Sequence, residues 1–545
     1  KYSEGLPEDL RTPFVDHKLK YLYESTGLET RFTNANDPYP KSNRVFTFHQ
    51  PITLASHFSF SNRDYLSNTP IPNSASIGQE PASFISKMNQ KLPTLPMERL
   101  WPAQVDAVRN LEESLRAGRK RHLIQMATGS GKTYTAVMSI SRMIQYGGAR
   151  RVVFLVDRGN LGRQALREFQ HFDVPGTGRK FTEIWNVQLL TSNKIDPIAR
   201  VVITTVQRMY SILKGEQDFD ADLEEEDMTG LEALIKKSPP IAYNRYIPIE
   251  TFEVMIIDEC HRSIYNLWRQ VLEYFDSHII GLTATPSKRT IGFFQRNLVM
   301  EYGHRRAVAD GVNVDYNVFR IRTLIGEHGS QVESGIQLEK RDRLTREQRW
   351  EILDEDLIYD AKKLDTDVVA KDQIRTVIST FRDSLPDLFP NRELDKLHLT
   401  HVPKTLIFAK SDSHADDIVK IVRDVFGKGN EFCQKITYKT SGAKPEEILA
   451  RFRNSYDPRI VVTVDMIATG TDIKPLECLI FMRMVRSQNY FEQMKGRGVR
   501  IIASEALESV TPDAKNGKAR FWLIDAVGVT AVSYTHLRAH ETRHD

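Results

Sequence analysis

The feature that most constrains how this chain folds is an alternation, from about residue 92 onward, of short apolar runs with segments of helical periodicity. In the first helical segment, residues 103–117, apolar side chains recur every three or four residues before Gly118 closes the segment. The apolar positions are Val105, Val108, Leu111 and Leu115. Strands that alternate with helices form βαβ units on a parallel sheet, so the pattern predicts an α/β fold.

Two runs of this pattern predict two similar α/β domains, residues 92–308 and 309–531. Buried strands are expected in the first run at 122–126, 152–156, 201–204, 255–257 and 278–283, and in the second at 405–409, 436–438, 460–464, 479–482 and 521–524. A second helix of the first run is expected at 133–146. The charged residues 338–399 are expected to form a mostly helical insertion in the second domain.

The two ends of the chain depart from this pattern. Residues 1–91 are rich in Pro, Asn, Ser and aromatic residues, and are expected to form an irregular connecting segment. Residues 532–545 are polar and resemble a translated sequencing adapter, so they are left out of the fold prediction. The histidines of this stretch are therefore not interpreted as metal ligands; they are His536, His540 and His544.

Composition narrows the class of protein. The 75 basic and 71 acidic residues among 545 nearly cancel, so a nucleic-acid partner requires a local basic surface. No apolar run approaches the roughly 18 residues of a membrane helix. Three distant cysteines favour a reducing, cytoplasmic setting over a disulfide scaffold. The acidic stretch at 216–227 is interpreted as a solvated surface insertion, with a regulatory or DNA-mimicking role as the alternative.

A glycine-rich loop, ATGSGKT at 127–133, lies between an expected strand and an expected helix. Its small residues allow backbone N–H groups to surround phosphates at a helix N-terminus; they are Thr128, Gly129, Ser130 and Gly131. Lys132 would then face the β- and γ-phosphates, and Thr133 a Mg²⁺ ion. Met126 occupies the position of the first glycine in the general phosphate-loop pattern, so the loop departs from that pattern by one residue.

An acidic pair, Asp258 and Glu259, directly follows the expected strand 255–257. In a phosphate-loop ATPase an aspartate in this position holds Mg²⁺, and a neighbouring glutamate can polarise the attacking water. The pair is informative because the phosphate loop precedes it. Cys260 and His261 have no partner ligands at metal-site spacing, so no metal site is predicted there.

Two further groups complete the predicted nucleotide site. Gln104 follows Trp101 at the start of a helix, where its amide can read an adenine edge. Arg497 and Arg500 follow Gln493 and can neutralise charge on a transferring phosphoryl group. A nucleotide between the two domains would explain why one carries the lysine and carboxylates and the other the arginines.

In this order, the motifs resemble those of superfamily 2 helicases and translocases, which have two tandem RecA-like domains with ATP at their interface. Supporting motifs are VDRGN at 156–160, TTVQR at 204–208, TATP at 283–286 and VDMIATGTD at 464–472. Three longer strings are similar to the motor (R) subunit of type I restriction enzymes. They are IIDECHRSIYNLWRQVLEYFD at 256–276, GLTATPSKRTIGFF at 281–294 and AVADGVNVDY at 307–316.

The resemblance implies a role for each motif residue. It implies that Gln104 reads adenine, that the loop with Lys132 and Thr133 holds phosphate and Mg²⁺, and that Asp258 and Glu259 hold Mg²⁺ and activate water. The remaining implied roles are coupling for His261, Thr283 and Thr285, nucleotide sensing for Gly470, Asp472 and Gln493, arginine fingers for Arg497 and Arg500, and DNA phosphate contacts for Arg158, Thr205 and Arg208.

The implied activity is ATP-dependent translocation of double-stranded DNA within a type I site-specific deoxyribonuclease, in the cytoplasm of a bacterium or archaeon. Its implied partners are methyltransferase (M) and specificity (S) subunits. An RNA or DNA helicase of superfamily 2 unrelated to restriction is the alternative. A third interpretation is a nucleotide-controlled binding module without ATPase activity, which the complete acidic and arginine motifs disfavour.

The resemblance also covers the N-terminal stretch, with EGLPEDLRTP at 4–13, and implies that residues 1–91 are the tail of a nuclease domain and a linker. Tyr2 resembles the last residue of that nuclease's Gln-x-x-x-Tyr motif. The nuclease carboxylates would then precede Lys1, and the family's C-terminal helical region would follow residue 531. The chain as given is therefore expected not to cleave DNA.

Overall fold

The computed structural model describes residues 21–56, 83–97, 99–219, 240–263, 268–321, 330–332, 337–341, 348–352, 357–359, 371–395, 398–437, 445–464, 472–485 and 487–530. The chain divides into a first unit, Lys1–Gly303, and a second unit, His304–Asp545. Within the described ranges, no helix has the length and apolar character needed to span a membrane.

The N-terminal part of the first unit contains a small antiparallel sheet that composition did not predict. Its strands are β1 (Tyr21–Ser25), β2 (Thr30–Asn34) and β3 (Asn43–Val45), and the helices α1 (Pro51–Ser56) and α2 (Phe84–Lys91) follow. Val45 packs into the core of the unit. His49 Nε2 lies 3.1 Å from Asp276 Oδ2, and the other oxygen of Asp276 lies 2.9 Å from Lys120 Nζ. These contacts fasten the N-terminal segment to the main sheet of the unit.

The main sheet of the first unit has seven parallel strands. They are β4 (Arg121–Met126), β5 (Val152–Val156), β6 (Val187–Leu189), β7 (Val201–Thr205), β8 (Val254–Ile257), β9 (His278–Thr283) and β10 (Leu298–Tyr302). Their order is β10-β4-β9-β8-β5-β7-β6. Strands β5 and β7 are buried along their whole length, as expected for parallel strands covered on both faces. The carboxyl ends of β4, β9 and β8 are neighbours, so the segments that follow them share one edge.

Helices cover this sheet. They are α3 (Pro102–Arg116), α4 (Lys132–Gln145), α5 (Gly159–His171), α6 (Phe181–Ile184), α7 (Val206–Lys214), α8 (Cys260–Ser263), α9 (Trp268–Tyr274) and α10 (Lys288–Phe293). The four apolar positions predicted for α3 are all buried, which confirms the helical stripe. Both predicted helices begin one residue earlier than expected.

The second unit contains strands β11 (Asp315–Arg320), β12 (Ser330–Val332), β13 (Gln337–Arg341), β14 (Gln348–Ile352), β15 (Leu357–Tyr359), β16 (Leu394–Asp395), β17 (His398–Leu399), β18 (Thr405–Phe408), β19 (Cys433–Ile436), β20 (Ile460–Thr463), β21 (Cys478–Phe481) and β22 (Arg520–Asp525). Six of them form a parallel sheet in the order β11-β22-β21-β18-β20-β19. Ile407 of β18 packs into one core cluster, and Leu406 and Phe408 into another. Because strand side chains alternate, this sheet has an apolar core on each face.

The helices of the second unit are α11 (His304–Ala309), α12 (Lys371–Leu388), α13 (Asp412–Phe426), α14 (Pro445–Asn454), α15 (Gln488–Lys495) and α16 (Ser504–Glu508). The expectation of a mostly helical region at 338–399 is wrong for its first part, where β13 pairs with β14 and β12 with β15, both antiparallel. In RWEI at 349–352 charged and apolar residues alternate, a period of two that favours paired strands over a helix.

A buried cation stands directly before β18. Lys404 is fully buried, and its Nζ donates hydrogen bonds to three carbonyl oxygens. The acceptors are Ser455 at 2.7 Å, Tyr456 at 2.9 Å and Pro458 at 2.7 Å. Burial lowers the pKa of Lys404 to about 6, but only its ammonium form has the three N–H donors that these carbonyls of the loop between α14 and β20 require.

All three cysteines of the chain are buried and form no disulfide. Cys260 begins α8 in the first unit, whereas Cys433 and Cys478 begin β19 and β21 in the second. Burial raises the pKa of the Cys433 thiol to about 12. The thiols are therefore kept protonated and away from reagents.

Candidate active site

The glycine-rich loop joins β4 to α4 and is shaped by two left-handed residues. Gly129 has a φ of 89°, and Gly131, the N-cap of α4, has a φ of 79°, so a side chain at either position would strain the backbone. The loop closes because the N–H and the hydroxyl of Ser130 both donate to Ala127 O, at 3.2 and 2.7 Å. The first-turn N–H groups of α4 have no partner within the helix, and such groups suit an anion.

Met126 shows why the loop tolerates the loss of the first glycine. Its side chain is fully buried, and Thr135 Oγ1 donates to its sulfur at 3.8 Å. Its carbonyl oxygen accepts a hydrogen bond from Lys132 Nζ at 3.5 Å. The methionine side chain is thus taken up by the core and does not enter the loop.

Gln104, the predicted reader of adenine, lies directly against the loop. It is only 5% exposed, and its Nε2 donates to Ser130 O at 3.4 Å and to Gly131 O at 3.5 Å. Its Oε1 accepts from the Trp101 N–H at 3.0 Å. A Cβ on Gly131 would lie 2.3 Å from Gln104 Nε2. The amide therefore occupies the space that a side chain at 131 would need.

Lys132, which follows β4, and the acidic pair, which follows β8, meet at the carboxyl ends of two strands that flank β9. Lys132 Nζ lies 3.7 Å from Glu259 Oε1. The Asp258 N–H donates to Leu155 O at 2.9 Å, which holds the strand end against β5. Burial, together with the negative charge of Glu259, raises the pKa of Asp258 to about 7. Glu259 has a φ of 46°, a left-handed conformation that turns the chain at the end of β8.

The three predicted coupling residues form one hydrogen-bonded chain. His261 Nδ1 lies 2.9 Å from Thr283 Oγ1 and 3.5 Å from Glu259 Oε2. Thr283 Oγ1 also accepts from the Thr285 N–H at 3.1 Å. Burial lowers the pKa of His261, which favours its neutral ring. Glu259 is therefore linked through His261 to the end of β9.

The three predicted DNA contacts are buried in the structure. Arg158, Thr205 and Arg208 are 3%, 2% and 1% exposed. Thr205 caps α7 by accepting from the Arg208 N–H at 3.2 Å, and Arg208 Nη1 donates to Asn193 Oδ1 at 3.5 Å. Thr205 and Arg208 thus stabilise the unit itself, and their contact with DNA stays a prediction.

In the second unit, the predicted arginines follow α15. Gln493 lies in α15 and Arg497 in the next turn, and both are buried. Arg500 Nε lies 2.7 Å from Asp472 Oδ1. The structure thus joins one predicted arginine finger to one predicted nucleotide sensor. Gly470 lies outside the described residues.

Gly498, between the two arginines, is a packing position that sequence reasoning missed. A Cβ on Gly498 would lie 2.4 to 2.7 Å from three ring atoms of Phe521. Phe521 is fully buried in β22, and its ring centroid lies 5.6 Å from that of Tyr316. The arginine turn therefore requires a residue without a side chain. A glycine between two candidate arginines was the available signal.

Two ion pairs of the first unit were also missed. Arg262 Nη1 donates to Asp157 Oδ2 at 2.8 Å and ties the loop after β5 to α8. Arg142 Nε donates to Glu112 Oε1 at 2.5 Å and joins α4 to α3. The partners are 105 and 30 residues apart in the chain, so no local pattern could reveal them.

Two domain families match this chain. Residues 98–288 match the family described as type III restriction enzyme, res subunit, and this range holds the phosphate loop and the acidic pair. Residues 390–502 match the helicase conserved C-terminal domain, and this range holds Arg497 and Arg500. Helicase-type domains imply that the chain uses a nucleotide.

Two relatives extend the match. The chain is 30% identical over 426 residues to the type I restriction enzyme EcoKI endonuclease subunit of Escherichia coli (strain K12), covering 73% of this chain and 33% of that protein. It is 27% identical over 437 residues to the EcoAI endonuclease subunit of Escherichia coli, covering 77% of this chain and 45% of that protein. The chain thus spans less than half the length of these two relatives.

A solved fragment structure, described as an HsdR subunit of a type I restriction enzyme from Vibrio vulnificus YJ016, has a TM-score of 0.51 to this chain. It is 20% identical, and the match covers 95% of this chain and 77% of that one. This likeness and the two domain families confirm the predicted fold, an α/β chain with two RecA-like domains. The relatives confirm the resemblance drawn from the motifs: the chain is homologous to the endonuclease subunits of type I restriction enzymes.

Proposed function

We propose that this chain is an ATP-driven motor that translocates double-stranded DNA within a type I restriction-modification endonuclease. The observation that carries the proposal is the position of the lysine at the end of the glycine-rich loop: Lys132 Nζ lies 3.7 Å from Glu259 Oε1. A phosphate-loop lysine beside carboxylates at a strand end is the arrangement that nucleoside triphosphate hydrolysis needs. Homology to type I endonuclease subunits supports duplex DNA as the substrate that is moved.

The residues around the loop fit ATP with Mg²⁺. Thr133 and Asp258 would hold the ion, and the raised pKa of Asp258 means that a nearby cation would stabilise its carboxylate. In the described part of the chain, no three His, Cys, Asp or Glu side chains form a metal cluster. When bound, Mg²⁺ neutralises charge on the phosphate oxygens.

Different residues of the first unit bind the phosphates, bind the base and orient the attacking water. The loop N–H groups and Lys132 bind and orient the phosphates, and Gln104 binds the adenine edge. Glu259 accepts a hydrogen bond from the attacking water and orients it. A movement of Glu259 is transmitted through His261, which hydrogen-bonds Thr283, to Thr285 and the end of β9. The residues that we assign to DNA phosphates are Arg158, Thr205 and Arg208.

The assignments in the second unit rest on its motifs. Arg497 and Arg500 neutralise charge that develops on the transferring phosphoryl group. The nucleotide-sensing residues are Gly470, Asp472 and Gln493. We also propose that residues 92–308 and 309–531 form the two domains. We further propose that the chain works in a cytoplasmic complex with methyltransferase and specificity subunits.

The test is ATP hydrolysis measured without nucleic acid, with duplex DNA and with RNA. Duplex DNA is expected to stimulate hydrolysis, and Lys132→Ala to abolish it, because the loop loses its charge. Lys194→Ala removes an equal charge from an exposed position and is the matched control. Undiminished hydrolysis by Lys132→Ala would refute the assignment of the site.

Translocation itself needs a second measurement, the displacement of a triplex-forming strand from duplex DNA. Displacement that requires ATP hydrolysis supports a motor. Strong stimulation by RNA, without displacement, would instead favour a superfamily 2 helicase unrelated to restriction. Tight ATP-dependent DNA binding without phosphate release would identify a binding module and refute the motor.

A further inference from the structure

Two buried charges join the helix that carries Gln104 to the helix that begins at the phosphate loop. Arg142 of α4 donates from Nε to Glu112 Oε1 at 2.5 Å, and from Nη2 to Glu112 Oε2 at 3.3 Å. Arg142 is 4% exposed and Glu112 8%. Arg142 Nη2 also donates to Pro93 O at 2.7 Å. A single guanidinium therefore bridges α4, α3 and the segment that leads into α3.

Helices α3 and α4 touch at two levels. At their amino ends, Gln104 Nε2 contacts the carbonyls of Ser130 and Gly131, and further along Glu112 meets Arg142. At 1.5 Å per residue, the two levels are about 12 Å apart along α3 and about 15 Å apart along α4. The helices therefore run side by side in the same direction. Two contacts at such a separation fix both their sliding and their relative tilt.

The two contacts differ in strength. The hydrogen bonds of Gln104 to the loop, at 3.4 and 3.5 Å, are at the outer limit of useful geometry. The bond between Arg142 and Glu112 is short, charge-assisted and forked. Gln104 and Glu112 are eight residues apart, which places them on the same side of α3. The amide is fixed to its own helix by the Trp101 N–H at 3.0 Å, so the buried ion pair, which sets where α3 lies against α4, also sets where the amide stands against the loop.

We propose that Glu112 and Arg142 are positioning residues that set the base selectivity of the nucleotide site. They do so by holding Gln104 at a fixed distance from the phosphate loop, where its amide can meet an adenine edge but not a guanine edge. The inference rests on the proposed function, since it requires that the loop bind a nucleoside triphosphate. It adds that selectivity depends on a pair that touches no nucleotide.

The experiment compares ATP with GTP in binding and in hydrolysis. Glu112→Gln keeps the size of the side chain and removes its charge. Asp276→Asn is the matched control, because Asp276 forms a partly buried ion pair with Lys120 at the amino ends of β9 and β4, away from the phosphate loop at their carboxyl ends. Both variants are expected to lower the unfolding temperature. Only Glu112→Gln is expected to reduce the preference for ATP over GTP, by about tenfold and through the KM for ATP, because the displaced amide loses part of a bidentate base contact.

Two further variants keep the result interpretable. Gln104→Ala gives the full loss of selectivity to which Glu112→Gln is compared. Arg142→Lys keeps the charge and loses the fork, so it should fall between wild type and Glu112→Gln, and it carries the test if Glu112→Gln does not fold.

An unchanged ATP-to-GTP preference in a folded Glu112→Gln or Arg142→Lys chain would overturn the inference and leave the proposed function standing. Equal loss of preference in Asp276→Asn would also overturn it, because general destabilisation would then be the cause. Failure of the wild-type chain to bind either nucleotide would refute the proposed function itself.

Discussion

Replacing Gly498 with alanine adds one methyl group where the second unit has no space for it. Its Cβ would lie 2.4, 2.5 and 2.7 Å from three ring atoms of Phe521, below the 3.0 Å at which something must shift. The ring is fully buried and packs against Tyr316, so it cannot swing into solvent. Overpacking of such a site costs about 1–3 kcal/mol. We expect Gly498→Ala to lower the unfolding free energy of the second unit by about 2 kcal/mol and to displace the turn with Arg497 and Arg500.

Urea unfolding and DNA-stimulated ATP hydrolysis measure the two consequences. Gly429→Ala is the matched control in the same unit, because a Cβ there meets nothing within 4 Å. Combining Gly498→Ala with Phe521→Leu removes the ring atoms and should recover part of the loss, with a coupling energy of about 1 kcal/mol or more. The reasoning is refuted if Gly498→Ala unfolds and hydrolyses ATP like Gly429→Ala.

Three further changes probe other parts of the molecule. Glu259→Gln should slow ATP hydrolysis by about 10²–10⁴-fold, the usual contribution of a positioned base, while nucleotide binding persists; an unchanged rate would contradict its role. Lys404→Met leaves three buried carbonyls without their donor and should cost about 3 kcal/mol or more in urea unfolding, at about 1–3 kcal/mol for each unsatisfied group; a loss no larger than that of the exposed Lys420→Met would count against it. Burial alone would raise the pKa of Asp276, but its contacts with Lys120 and His49 together outweigh burial and hold the pKa below its ordinary value. Its stabilising effect is therefore full above about pH 4 and is lost as the pH falls. Asp276→Asn should then unfold with a flatter profile between about pH 4 and pH 2, and parallel profiles would show that the pair does not act this way.

Local patterns were sufficient for the elements that carry chemistry. Strand β9 has the predicted bounds, 278–283, and β5 has the predicted bounds 152–156. Both are buried on two faces, so their sequences are nearly continuous apolar runs that punctuating residues delimit. The glycines of the phosphate loop mark positive φ angles directly in the sequence. Periodicity and glycine spacing therefore predict the edge of the sheet where the candidate site lies.

Contacts between distant charges could not be predicted in this way. Several basic residues lie close to Glu112 in the sequence, and only the packing of α3 against α4 selects Arg142 as its partner. The small sheet of β1, β2 and β3 is a similar case. Its strands are at most five residues long and mix polar with aromatic residues, so their pairing depends on Val45 and the core beneath them.

Burial of the cysteines makes thiol alkylation a measure of how often each half of the chain opens. Cys260 lies so close to Gly281 that a methyl group there would stand 2.8 Å from the sulfur, so a reagent reaches it only when the first unit loosens. Cys433 and Cys478 are enclosed in the second unit, and burial raises the pKa of both thiols. Alkylation rates under native conditions, measured by mass spectrometry, therefore give a free energy of opening for each of the two units without any engineered cysteine. A nucleotide that tightens only the first unit would slow the labelling of Cys260 and leave the other two rates as they were.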